Sequence, residues 1–248
     1  MSPAAQRRVA FFGGSRVAFF GGSFDPPHLG HLAVARAAQT GLELDTVLFA
    51  PVGAQPLKSR GARASFEDRL AMTRLAIAGE PGFEISLADA PSALGKPNYS
   101  LETLERLRAE LGSACRLYFL MGADSFLSLK KWHRAGEIPF AAPLIVASRP
   151  GERLESVKAA LPEGLTIKAM PERDRTAGNV EVRAYEVRNR LGAHAEFYLL
   201  PGLDCEISAT EIRASIRSRD GAGQRKAAGE RLVPEAVAEY VRAYGLYR

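Results

Sequence analysis

One pattern constrains this chain more than any other: short apolar runs, each closed by Gly, Pro or Asp, alternate with longer segments of helical periodicity. That is the pattern of βαβ units. It predicts an α/β fold, a Rossmann-like doubly wound parallel sheet with helices on both faces. The runs fall at Val17 to Phe20, Thr46 to Pro51 (TVLFAP), Phe83 to Leu87, Arg116 to Met121 (RLYFLM), Leu144 to Ser148 (LIVAS), Leu165 to Met170 and Glu196 to Leu200 (EFYLL). RLYFLM is apolar enough to predict a central strand buried on both faces. Helices are expected over Leu29 to Thr40, Ser65 to Ala78, Leu101 to Leu111 and Glu152 to Leu161. The second of these opens on Ser65-Phe-Glu-Asp68, which resembles a capping box with Asp in place of Glu. Two more, near Ser208 to Ser218 and Pro234 to Tyr244, make a small C-terminal helical portion over about residues 208–248.

Two stretches break the rhythm. Pro171 to Ala193 is charged, Arg-rich and irregular, and reads as an insertion or flap outside the core. The octapeptide RVAFFGGS occurs twice, at Arg8 to Ser15 and again at Arg16 to Ser23, but only the second copy is followed by FDPPH. The second copy is therefore expected to supply the first strand. Residues 1–15 become an appendage and residues 16–248 a single domain, since nothing resembles an interdomain linker.

Composition narrows the partners. The formal charge is +5, with Lys and Arg scattered along the chain, which suits small anionic ligands better than a nucleic-acid duplex. The two cysteines, Cys115 and Cys205, lack any C-x-x-C spacing and read as buried thiols, neither a zinc site nor a redox pair. No apolar run approaches the roughly 20 residues that span a bilayer, and no A-x-A-like cleavage site follows the N-terminus, so a cytoplasmic location is expected. A homo-oligomer is compatible with all of this.

Chemistry concentrates in two segments. Gly21-Gly22-Ser23-Phe24-Asp25-Pro26-Pro27-His28-Leu29-Gly30-His31 joins a strand to a helix, where glycines let backbone N–H groups turn toward a ligand and a helix start favours negative charge. H-x-x-H there puts two imidazoles on one face. Phosphate handling, simple capping and metal binding, with Asp25 as a further ligand, all remain open on residue types alone. Far along the chain, Ile207-Ser208-Ala209-Thr210-Glu211-Ile212-Arg213 starts a helix after EFYLL. Ser208 is a natural N-cap; this segment alone reads as a plain cap with a surface Arg, but joined to the H-x-x-H loop its Thr210 hydroxyl, first-turn amides and Arg213 guanidinium read as converging on one anion-sized volume.

GGSFDPPHLGH and ISATEIR together resemble the two signature motifs of the HxGH nucleotidyltransferase superfamily, and within it the bacterial nicotinate (nicotinamide) mononucleotide adenylyltransferases. Ala209 stands where Ser is more usual. The similarity runs from Val17 to Arg248 and takes in PVGAQPLK ending at Lys58, Arg69-Leu-Ala-Met72, PNYSLETL, GADSFLSLKKW and the closing VPEAV..YV...GLY. It implies transfer of the adenylyl group of ATP to nicotinate mononucleotide in NAD biosynthesis, by direct in-line attack with no covalent intermediate.

The same resemblance implies roles. His28 and His31 would contact the ATP phosphates, His31 being the better candidate for stabilising the α-phosphate transition state, and with Arg213 they would be catalytic. Backbone amides of Gly22, Ser23 and Phe24 would line the phosphate path, Ser208, Thr210 and Arg213 would hold the β- and γ-phosphates, and Asp124 would accept from the adenosine ribose while also serving as the N-cap of its helix. Trp132 would stack on the pyridine ring, Ser100 would receive the nicotinate carboxylate, and Lys58 would reach a phosphate. Mg²⁺ would arrive on ATP with few direct protein ligands, and no dedicated metal site is expected. Preference for the acid over the amide substrate is weakly specified. A pantetheine-phosphate adenylyltransferase and a nucleotide-binding sensor without turnover are the alternatives; intact His28, His31 and Arg213 count against the sensor, Trp132 and PNYSLETL against the other enzyme.

Overall fold

In the computed structural model, the structure is described for residues 14–54, 61–148, 154–203, 207–217, 229 and 231–248. The strands are β1 (Arg16–Gly22), β2 (Thr46–Pro51), β3 (Phe83–Ile85), β4 (Arg116–Gly122), β5 (Leu144–Ala147), β6 (Leu165–Ala169), β7 (Arg175–Ala177), β8 (Val180–Asn189) and β9 (His194–Leu200). The helices are α1 (Leu29–Leu42), α2 (Phe66–Ala76), α3 (Ser100–Leu111), α4 (Ala123–Ser128), α5 (Ile138–Ala141), α6 (Leu154–Ala160), α7 (Ala209–Arg217) and α8 (Glu235–Ala243).

The sheet order is β3-β2-β1-β4-β5-β9-β8-β6, with β7 also paired to β8. From β3 to β9 all neighbours run parallel. The chain steps outward from β1 through β2 to β3, then returns to lay β4 on β1's other side. That reversal opens a crevice beyond the carboxyl ends of β1 and β4, where open α/β sheets bind ligands.

β1 is the spine because its residues are apolar on both faces. Val17 and Phe19 pack with Phe119, Leu104 and Val146 on one side; Ala18 and Phe20 pack with Leu32, Ala35 and Ala38 of α1 on the other. All four are buried, and β1 lies between β2 and β4 in register from Val17 onward. The second octapeptide copy thus forms the central strand. Gly14 and Ser15 extend it, Gly14 N–H donating to Ala114 O at 3.0 Å and Ser15 O accepting from Arg116 N–H at 2.8 Å. The first copy, Arg8 to Ser15, falls mostly outside the described residues.

The Arg-rich stretch corrects the sequence reading. Residues 171–193 are not a flap: β8 inserts antiparallel between β9 and β6, so the sheet is mostly, not wholly, parallel. Val182, Ala184, Tyr185 and Val187 are buried. The buried face changes along the strand, Val182 packing in the cluster with α1 and Tyr185 and Val187 in the other; Arg183 pairs with Glu181 and Arg188 with Glu186 on opposite faces, and no single alternation marked the strand. Helix α1 lies so close to β8 that a Cβ on Gly41 would come within 2.8 Å of Val182 Cγ2. A third cluster joins Met72 and Ala76 of α2 to Ile212 of α7, Val237 and Val241 of α8, and Tyr247. Cys115 is half-buried and free; Cys205 lies outside the described residues. Among the described residues no helix is long and apolar enough to cross a membrane.

Candidate active site

The loop leaving β1 packs tightly. Gly22 is crowded, since a Cβ there would press on the Phe24 ring at 3.1 Å. Phe24 itself takes a left-handed φ of 46° and is buried against Phe20, Phe49 and His31. Aromatic packing therefore fixes the loop where strain would otherwise relax it.

His28 is the N-cap residue of α1, not a member of its first turn. Its backbone N–H donates to His31 Nδ1 at 3.1 Å, so neutral His31 carries its proton on Nε2. The two imidazoles stack with centroids 3.7 Å apart. His28 is buried and its Nδ1 has no hydrogen-bond partner among the described residues; burial lowers its pKa to about 4. One imidazole is thus kept neutral beneath the other.

The ISATEIR segment arrives from the far end of the chain. Ser208 Oγ accepts from Thr210 N–H at 3.2 Å, the bond expected of an N-cap. Arg213 spans the gap between the motifs: Nη1 donates to Asp25 O at 2.6 Å and Nη2 to Thr210 Oγ1 at 3.1 Å. One open cleft of about 1240 Å³ is lined by Gly22, Ser23, Phe24, His28, His31, Ser100, Asp124, Trp132, Ser208, Thr210 and Arg213. Every predicted site residue that the structure describes is there. Lys58 falls among residues 55–60, outside the described residues.

At the cleft's other end, Trp132 donates from Nε1 to Ser128 Oγ at 3.0 Å and lies 6.2 Å from Phe119. Ser100 is the first residue of α3, so its hydroxyl sits among that helix's open amides. Asp124 corrects a smaller expectation: Gly122 is the N-cap of α4, and Asp124 stands in its first turn, exposed to the cleft. Tyr99 and His133 stack at 4.4 Å beside Trp132.

Several residues had no assigned role in the sequence reading. Arg69 is buried; it donates from Nη1 to Ser23 O at 2.7 Å and from Nη2 to Val52 O at 2.8 Å, tying the loop after β1 to the end of β2. Burial lowers its pKa. An Arg on the inward face of a helix was the available signal. Asp89 is buried, accepts from Thr103 Oγ1 at 2.6 Å, and has its carboxyl pushed up by burial; no local pattern marks it. Asp25, considered as a metal ligand, is instead saturated with donors. Arg63 N–H at 2.6 Å, Ala64 N–H at 3.1 Å and Tyr247 OH at 2.7 Å all reach its carboxylate.

Residues 19–215 match the model of the cytidylyltransferase-like family, and with the relatives below this makes the chain a nucleotidyltransferase. Two relatives named "Probable nicotinate-nucleotide adenylyltransferase" align over almost the whole chain. That of Gloeobacter violaceus is 35% identical, covering 97% of this chain and 96% of its own. That of Desulfatibacillum aliphaticivorans is 35% identical, covering 97% and 99%. This chain belongs to the nicotinate-nucleotide adenylyltransferase family. Its fold is shared by the Plasmodium falciparum nicotinic acid mononucleotide adenylyltransferase, with a TM-score of 0.64 at 17% identity over 94% of this chain and 97% of that one.

Proposed function

We propose that the chain joins ATP and nicotinate mononucleotide into nicotinate adenine dinucleotide. The 5′-phosphate oxygen of the mononucleotide forms a bond to the α-phosphorus of ATP; the bond from that phosphorus to the β-bridging oxygen breaks, and pyrophosphate leaves with its electron pair. The observation that carries this reading is the convergence of the His28–His31 pair with Thr210 and Arg213 at one end of a cleft whose other end holds Trp132. The relatives' names point to the same reaction.

The nucleophile is already an anion and the leaving group is stable, so the protein's task is alignment and charge neutralisation. His31, its Nδ1 engaged by the His28 amide, presents Nε2–H as a donor to the α-phosphate. The neutral His28 beneath holds that ring in place without competing for the phosphate. Arg213 and the first turn of α7 take the charge that grows on the β- and γ-phosphates. Asp124 accepts from the adenosine ribose. Trp132 stacks on the pyridine, and Ser100 with the start of α3 receives its carboxylate. ATP would enter as its Mg²⁺ complex, the ion supplying neutralisation of polyphosphate charge.

The test is to incubate purified protein with ATP, Mg²⁺ and either nicotinate mononucleotide or its amide, following pyrophosphate and dinucleotide. The acid should be the better substrate. No dinucleotide from either mononucleotide overturns the reading.

A further inference from the structure

The residue that holds the two halves of the phosphate site together lies outside both motifs. Tyr247, after α8, donates its hydroxyl to Asp25 Oδ1 at 2.7 Å, across 222 positions of sequence. Its ring is buried in the cluster that contains Met72, Ile212 and Val241, and its backbone sits at a left-handed φ of 64°. Such a conformation is unfavourable for a non-glycine residue, and the packing and the hydroxyl bond sustain it.

Asp25 is the junction. Its carboxylate takes the Tyr247 hydroxyl and the Ala64 amide on Oδ1 and the Arg63 amide on Oδ2, while its carbonyl takes Arg213 Nη1 at 2.6 Å. Arg213 Nη1 is also only 3.9 Å from Oδ2. A buried carboxylate and a guanidinium at that separation attract strongly. What keeps the guanidinium on the carbonyl and facing Thr210 is that the carboxylate is already supplied with neutral donors. Burial and the Asp25 charge push the Tyr247 hydroxyl far above its ordinary value, so it remains a donor throughout the working range.

We propose that Tyr247 is a positioning residue for the ATP phosphates: by satisfying Asp25 it leaves the Arg213 guanidinium aimed into the cleft. The inference rests on the adenylyltransferase reading for the identity of the ligand. Removing the hydroxyl while keeping the ring leaves Asp25 short of a donor, and the carboxylate then captures Arg213.

Binding of α,β-methylene-ATP, measured by calorimetry, separates the two levels because it needs no turnover. Tyr247→Phe should weaken the analogue roughly tenfold, the scale of one hydrogen bond to a charged group, and raise KM for ATP in step. KM for nicotinate mononucleotide and the cooperative thermal melt should be nearly unchanged. In an Arg213→Met background the same Tyr247→Phe change should alter analogue binding by less than twofold, because its effect runs through the guanidinium. Equal affinity of wild-type and Tyr247→Phe proteins, an undiminished effect in the Arg213→Met background, or loss of the melt without selective loss of ATP affinity each overturns the inference. Absence of dinucleotide from wild-type protein that still binds the analogue overturns the reaction and leaves the positioning role standing.

Discussion

At the scale of single residues the candidate site sets two identical side chains in different environments. His28 and His31 are three positions apart, yet one is buried with its pKa near 4 and the other packs over it with its Nδ1 engaged by an amide. His31→Ala should cost turnover by two orders of magnitude or more while the protein melts cooperatively near the wild-type temperature, measured by initial rates and calorimetry. His28 predicts a different signature. Its folded-state pKa lies below the ordinary 6.5, so the unfolded chain binds the extra proton first and stability falls as pH drops from about 6.5 toward 4. The contribution is on the order of 3 kcal/mol. Urea unfolding of His28→Asn at pH 7 and pH 4.5 should show a correspondingly smaller loss than wild type. The existence of the pair was legible in the sequence; its asymmetry was not, because burial is set by the packing of segments distant in the chain. The Leu29 amide, for instance, donates to Leu232 O at 2.9 Å.

At the scale of elements, legibility followed hydrophobicity. β2, β4 and β5 were readable within a residue of their ends because they are continuous apolar runs. The N-cap Ser65 was readable too, its Oγ accepting from Asp68 N–H at 3.0 Å. β8 was hidden because its buried face changes between Ala184 and Tyr185, which leaves Glu and Arg on both faces and breaks the alternation. Once β8 is recognised, the small residue at the end of α1 has a reason: Gly41→Ala should drive a methyl into Val182 and Val180. We expect a loss of about 1–3 kcal/mol in denaturant unfolding, with little change in KM, since the clash lies away from the cleft. Val182→Ala in the same background should recover part of the loss. Arg69 and Asp89 were beyond local reading altogether, because each is defined by partners on other elements.

At the scale of the molecule, the candidate site joins the loop after β1 to the start of α7, and the segment after α8 reaches it through Asp25. The central strand needs nothing before Gly14: its register is set by β2, β4 and the Gly14–Ala114 bond. We propose that residues 1–13 are dispensable. A chain lacking residues 2–13 should form dinucleotide at a rate within a few-fold of the full chain and unfold at a similar temperature, which activity and calorimetry would establish directly. The meeting of the two motifs was anticipated only through family resemblance; periodicity alone places elements along a line and says nothing of which loops meet.

The bond from Tyr247 to Asp25 carries a consequence for the order of events during folding. Closing a loop of 222 residues costs about 5 kcal/mol of chain entropy, a cost met only after the sheet has already brought its ends together. Capacity to bind a polyphosphate should therefore be the last property to return in refolding, lagging the recovery of secondary structure. A chain still being synthesised carries both histidines early and yet holds no finished site until its 247th residue has been added.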